Sequence, residues 1–144
     1  MPRAKTKQKR NDSGFTLLEL LVTLTILAMI AAIAGPMVFD RLGSSKTQTA
    51  KVQVQAIATA LELYALDTGG YPAPQVGLSA LVQASPGVGN WRGPYLKRAD
   101  GLVDPWSKLY QYRVPGRSGA FEVFTLGRDG NPGGAGEDQD ISSN

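Results

Sequence analysis

The chain has neither cysteine nor histidine among its 144 residues. The first absence excludes a disulfide framework and any thiolate metal site; the second removes the usual general base and the commonest zinc ligand. Most familiar hydrolase mechanisms are closed in consequence, and no nucleotide loop, zinc motif or nucleophile elbow occurs. An enzyme built on this chain would depend on paired carboxylates, yet the acidic residues gather in a glycine-rich stretch near the C-terminus. Charge is missing from one long segment: between Phe15 and Phe39 the only ionisable side chain is Glu19.

The net charge of +3 is unevenly placed. Arg3, Lys5, Lys7, Lys9 and Arg10 against Asp12 give the segment before Phe15 a charge of +4, so the remainder carries −1. The basic balance therefore belongs to the N-terminal segment and does not argue for nucleic-acid binding. The length suits one folded domain plus one anchor.

From Phe15 to Phe39 the sequence is apolar apart from Glu19 and three threonines, and a bilayer core of about 30 Å needs roughly 20 such residues as a helix. Basic residues beside such a span stay on the cytoplasmic side, which places everything after Phe39 outside. Two plainer readings compete. Ala32-Ile33-Ala34 imitates a secretory cleavage site, although an apolar run this long, with a carboxylate inside it, exceeds an ordinary signal core. An uncleaved signal anchor is the other. Glu19 needs a partner, because an ionised carboxylate inside an apolar bundle costs about 3 kcal/mol on insertion scales. Cutting the Gly14–Phe15 bond would create one, the cationic α-amine of Phe15 on a neighbouring copy.

Gly14-Phe15-Thr16-Leu17-Leu18-Glu19, with a basic leader before it and the apolar run after it, resembles the class III signal of type IV pilins and pseudopilins. The resemblance implies that a membrane peptidase cleaves after Gly14 and N-methylates Phe15, that Glu19 is the assembly glutamate, and that Pro36 is the helix-perturbing proline of the family.

Beyond Phe39 the pattern turns amphipathic. Ala50, Val54, Ile57, Leu61 and Tyr64 recur at intervals of four and three, one helix face seeking a core. Gly69-Gly70 and Tyr71-Pro72 end the helix. Read as one unit, Phe15 to Asp67 is about 53 residues and roughly 80 Å long. A kink is expected at Gly35-Pro36, and Leu42-Gly43-Ser44-Ser45 offers a second flexible point.

Residues 70–106 are dense in proline and glycine, and only 77–83 reads as a short helix. Trp91, Tyr95, Leu96 and Trp106 are expected to pack on the long helix; a sugar-binding role for these aromatics is the alternative. Leu109 to Val114 and Phe121 to Leu126 read as two strands joined by a turn at Pro115-Gly116-Arg117-Ser118-Gly119. A lone hairpin is marginal and must pack on the helix. The expected fold is α+β: a long N-terminal transmembrane and amphipathic α-helix packed against a small antiparallel β-sheet, with a Gly/Asp-rich C-terminal loop. The expected organisation is a cleaved leader at 1–14, an assembly helix at 15–39 and a periplasmic domain at 40–144. Within that domain the helix continues over 40–67, a loop and short helix occupy 70–106, and the hairpin and C-terminal loop take 107–144.

The final loop combines five glycines between Gly130 and Gly136 or just before them with Asp129, Glu137, Asp138 and Asp140. Tight turns and hard oxygens suit calcium, but the spacing is not that of an EF-hand, and a solvated flexible tail explains the composition equally well.

Taken together, Gly14 to Val22, Tyr71-Pro72, Gly93-Pro94-Tyr95-Leu96, Asp104-Pro105-Trp106, Tyr110-Gln111-Tyr112, Leu126-Gly127-Arg128-Asp129-Gly130 and Asp140-Ile141 are similar to the major pseudopilin family of type II secretion systems. The resemblance covers the chain from Gly14 to Ile141. It implies a pilin-like fold and a non-enzymatic filament subunit at the bacterial inner membrane, with its head in the periplasm. It also implies a structural calcium held by the Leu126 carbonyl, Asp129 and Asp140, with Asp138 substituting where Gln139 departs from the family pattern. The implied partners are copies of the same chain, minor pseudopilins, the prepilin peptidase, and the inner-membrane assembly platform with its ATPase. A type IV pilin proper, many of which carry a cysteine pair, and a minor pseudopilin are the neighbouring alternatives.

Overall fold

The computed structural model describes residues 15–143; the expected leader and Gly14 lie outside them. One helix, α1, runs over Leu17–Thr68 and is followed by three short strands, β1 (Gln111–Arg113), β2 (Glu122–Thr125) and β3 (Ile141–Ser142). The chain divides into two compact units, residues 1–39 and 40–144.

In the first unit, Thr16 caps α1. Its Oγ1 accepts the Glu19 amide at 3.2 Å, so Thr16 and Glu19 stand in the spacing of a capping box. The other two threonines of the apolar run satisfy their hydroxyls locally: Thr23 donates to the Glu19 carbonyl at 2.7 Å and Thr25 to the Leu21 carbonyl at 2.8 Å. Back-bonding to the preceding turn hides a polar group that lipid cannot satisfy. Among the described residues α1 is the one helix long and apolar enough to cross a membrane, and its large side chains from Leu17 to Phe39 are exposed throughout. α1 continues as helix through Gly35 and Pro36.

In the second unit the anticipated face of α1 is the core. Ala50, Val54, Ile57, Leu61 and Tyr64 are buried, and Leu78, Leu81, Tyr110, Val123 and Ile141 close over them. Trp91, Tyr95, Leu96 and Trp106 are half-buried against this cluster, and their polar tips find partners. Trp91 Nε1 donates to the Ala80 carbonyl at 2.8 Å, and the Tyr95 hydroxyl donates to Asp67 Oδ2 at 2.8 Å. Gly69 ends α1 with φ of +85°, and its amide bonds the Ala65 carbonyl.

The sheet is antiparallel in the order β1-β2-β3, with Tyr112 opposite Val123 and Thr125 opposite Ile141. Both expected strands are shorter than read. Leu109 instead forms an isolated bridge with Val103, and the Tyr110 amide bonds the Leu102 carbonyl, so the chain before Gln111 pairs with an earlier loop. The third strand was not expected from the sequence. The short helix expected over 77–83 is a 3-10 turn at Gly77–Leu81, and a second lies at Ala99–Leu102. Segments this short close i to i+3 bonds more readily than a full α turn. The Gly93–Pro94 and Val114–Pro115 peptides are cis.

Candidate functional site

Two regions carry the expected functional residues. The first is the start of α1, where Phe15 and Glu19 are both exposed. They lie one helical turn apart in sequence, on a segment whose apolar side chains have no cover within the chain. Pro36 sits inside α1.

The second is the C-terminal loop between β2 and β3. It begins where Gly127 and Gly130 take positive φ, which lets the chain turn back on itself. The loop closes on its own backbone: the Arg128 amide bonds the Glu137 carbonyl at 2.8 Å, and the Gly130 amide bonds the Leu126 carbonyl at 3.2 Å. Gly127 lies so close to the carbonyls of Glu137 and Gln139 that an added Cβ would stand 2.6 and 2.9 Å from them. A side chain at 127 would hold the loop open.

The carboxylates of this loop divide into two sets. Asp138 faces Arg128, whose Nε donates to Oδ1 and whose second terminal nitrogen donates to Oδ2, both at 2.9 Å. This fork holds the Asp138 carboxyl below the usual carboxylate range and raises the guanidinium. Glu137 accepts from Trp106 Nε1 at 2.9 Å through Oε2, and its Oε1 lies 3.6 Å from Arg128. In the other set, Asp129 Oδ1 accepts the Asn131 amide at 3.1 Å and Asp140 Oδ2 accepts the Gly133 amide at 3.0 Å. Asp140 Oδ1 is buried and, among the described residues, without a hydrogen-bond partner.

That orphaned oxygen is the observation against which a calcium site is judged. A buried carboxylate oxygen with nothing to accept from is expensive, and a hard cation satisfies it. The Leu126 carbonyl, Asp129 and Asp140 supply hard oxygens of the right kind, so the donor set fits calcium. Among the described residues no three carboxylates are grouped as a metal cage, so an ion here would rely on backbone carbonyls as well.

The loop is also fastened to α1. Thr47 Oγ1 donates to the Gly136 carbonyl at 3.2 Å, and Glu137 packs on buried Gly43, where a Cβ would meet Oε1 at 2.6 Å. Gly43, anticipated as a flexible point, is thus the seat of Glu137. Beside the loop, buried Asp104 accepts from the amides of Trp106 and Lys108 at 3.0 and 2.8 Å and from Thr125 Oγ1 at 2.6 Å. Asp104 therefore ties the 104–108 turn to β2. The sequence singled it out only within Asp104-Pro105-Trp106; an aspartate before proline at the head of a turn is the signal that marks it.

An unburied apolar helix continuing into a small α+β head defines a subunit of the type IV pilin-like class. The family model described as Type II secretion system (T2SS), protein G matches residues 37–144, and the prokaryotic N-terminal methylation motif matches residues 9–35. The type II secretion system core protein G of Pseudomonas aeruginosa is 44% identical over 140 residues, covering 94% of this chain and 97% of that protein. Its counterpart from Vibrio cholerae is 40% identical, covering 95% and 94%. The crystal structure of the major pseudopilin from the type 2 secretion system of enterohaemorrhagic Escherichia coli matches with a TM-score of 0.59 at 30% identity, over 72% of this chain and 86% of that one. The chain belongs to the type II secretion system protein G family, as the resemblance read from its motifs implies.

Proposed function

We propose that this protein is the major structural subunit of a type II secretion pseudopilus, a short periplasmic filament that pushes folded exoproteins through the outer-membrane channel. The observation that carries the reading is the exposed apolar segment of α1, most of which lies within the methylation motif and which the protein G match follows in sequence. The exposed leucines, isoleucines and valines of Leu17 to Phe39 need lipid before assembly and copies of themselves after it.

The work of such a subunit is mechanical. The prepilin peptidase cleaves between Gly14 and Phe15 on the cytoplasmic side and methylates Phe15. The mature chain rests in the inner membrane with its head in the periplasm. Glu19 then sets register by pairing with the Phe15 amine of an adjacent copy, because an unpaired carboxylate among apolar helices is expensive. Pro36 removes one helical hydrogen bond and gives α1 a place to adjust during extraction. The assembly platform and its ATPase drive addition, and minor pseudopilins share the filament. The Leu126 carbonyl, Asp129 and Asp140 would hold a calcium ion, which would supply the charge that closes the C-terminal loop and would stabilise the head by mass action. Asp138 is the fourth candidate ligand, and its engagement with Arg128 bears on that role.

Glu19→Ala tests the pairing. The variant inserts normally, yet filaments and exoprotein release are lost from cells that lack the wild-type copy. Normal filaments from Glu19→Ala would contradict the role.

A further inference from the structure

The loop residues divide their labour in a way that the calcium reading alone does not require. We infer that Arg128 is a built-in cation of the C-terminal loop: it latches Asp138 and Glu137 and so reserves Asp129 and Asp140 for the divalent ion. This rests on the proposed calcium site for its second half only; the latch is a property of the chain itself.

Three observations carry it. The guanidinium engages both oxygens of Asp138 at 2.9 Å, and the Arg128 amide bonds the Glu137 carbonyl at 2.8 Å, so side chain and backbone tie residue 128 to residues 137 and 138 together. A bidentate fork fixes both acceptor oxygens in one plane, which a single point charge does not. An ion recruiting Asp138 would have to displace these charge-assisted bonds. Asp140, in contrast, has an Oδ1 that is buried and, among the described residues, unpartnered, so it is a carboxylate that no side chain of the loop already engages at both oxygens.

The charges agree with this division. Asp129, Glu137, Asp138 and Asp140 carry −4 between them. Arg128 supplies +1, and Lys108 supplies another, since its Nζ donates to the carbonyls of Gly127 at 3.3 Å and Arg128 at 2.8 Å. The balance of −2 over these six side chains has the sign that a divalent cation needs. Arg128 is largely exposed and the pair is screened by salt, so its contribution is to geometry. It presets the 128–138 closure and leaves the Leu126 carbonyl, Asp129 and Asp140 as the groups that would hold an ion.

The test uses the full chain in detergent micelles, with calcium alone as the titrant and calorimetry as the readout, beside hydrogen exchange of residues 128–138 in EDTA. Asp138→Asn is expected to keep calcium affinity within about threefold, the scale of a screened surface charge. Asp140→Asn, which removes the orphaned oxygen's charge, is expected to weaken affinity by about 30-fold or more. In EDTA, Arg128→Gln is expected to speed exchange at the Arg128 and Asp138 amides about tenfold, and Arg128→Lys to restore part of the protection, since lysine keeps the charge and loses the fork. Equal loss of calcium affinity in Asp138→Asn and Asp140→Asn overturns the division of ligands. Unchanged exchange in Arg128→Gln overturns the latch. If the parent chain binds no calcium while Arg128→Gln still opens the loop, the calcium reading falls and the latch stands.

Discussion

The two units of this molecule obey opposite rules of burial. From Leu17 to Phe39 nearly every large apolar side chain is exposed, whereas from Ala50 onward the same residue types form a core with Ile57, Leu61, Val54 and Val123 essentially sealed. The head thus contains its own stabilising partners, and the apolar arm does not. An arm of this kind is stable only where lipid or other helices replace water, so its sequence encodes an assembly, while the head's sequence encodes a domain.

Substitutions sharpen the contrast. Leu61→Ala removes a buried side chain from the head core and is expected to destabilise the head by about 3 kcal/mol. Leu24→Ala in the arm is expected to leave the head's melting temperature in detergent unchanged, both read by circular dichroism on the full chain. A shift of similar size from Leu24→Ala would erase the distinction. Asp104→Ala follows at about 2 to 3 kcal/mol, because three donors lose their acceptor and the buried Thr125 hydroxyl is left unpaired. Chemical denaturation of the same preparation measures it.

The smallest effect is one of pH. Burial pushes the Tyr112 hydroxyl up to about 12, and this hydroxyl donates to the Pro72 carbonyl at 2.9 Å. Burial pushes Tyr110 further in the same direction. A folded-state pKa above the unfolded value near 10 means that the stabilisation is complete below pH 10 and is lost as pH climbs toward 12. The head is expected to lose stability over that window, and Tyr112→Phe to flatten the loss. An equally steep alkaline decline in Tyr112→Phe would assign it elsewhere.

How much of this was legible differs between the two units for a physical reason. The arm is read from composition, since a helix in lipid needs only length and apolarity, and the face of α1 that forms the head core is read from its period of 3.6. The α+β class and the hairpin follow from β-rich segments around a Pro-Gly turn. What pattern does not carry is which segment a short strand pairs with. Leu109 joins Val103 instead of extending β1, and Ile141 and Ser142 make a third strand too short to leave a periodic trace. In the loop, composition brings Asp129, Glu137, Asp138 and Asp140 to notice but does not separate them. Only the structure assigns Asp138 to the Arg128 guanidinium and shows Asp140 Oδ1 without a partner among the described residues. The spacing of Thr16 and Glu19 also encodes a helix cap, beside the proposed assembly role of Glu19. The two are compatible, because the cap uses the Glu19 amide and the pairing uses its carboxylate.

The claim on which the account turns is that the arm is exposed in the isolated chain because it is made to be trimmed and bundled. Intact-mass spectrometry of the protein from native membranes tests it most directly. The account predicts a chain that begins at Phe15 and carries one added methyl group; a chain still beginning at Met1 in every preparation would contradict it.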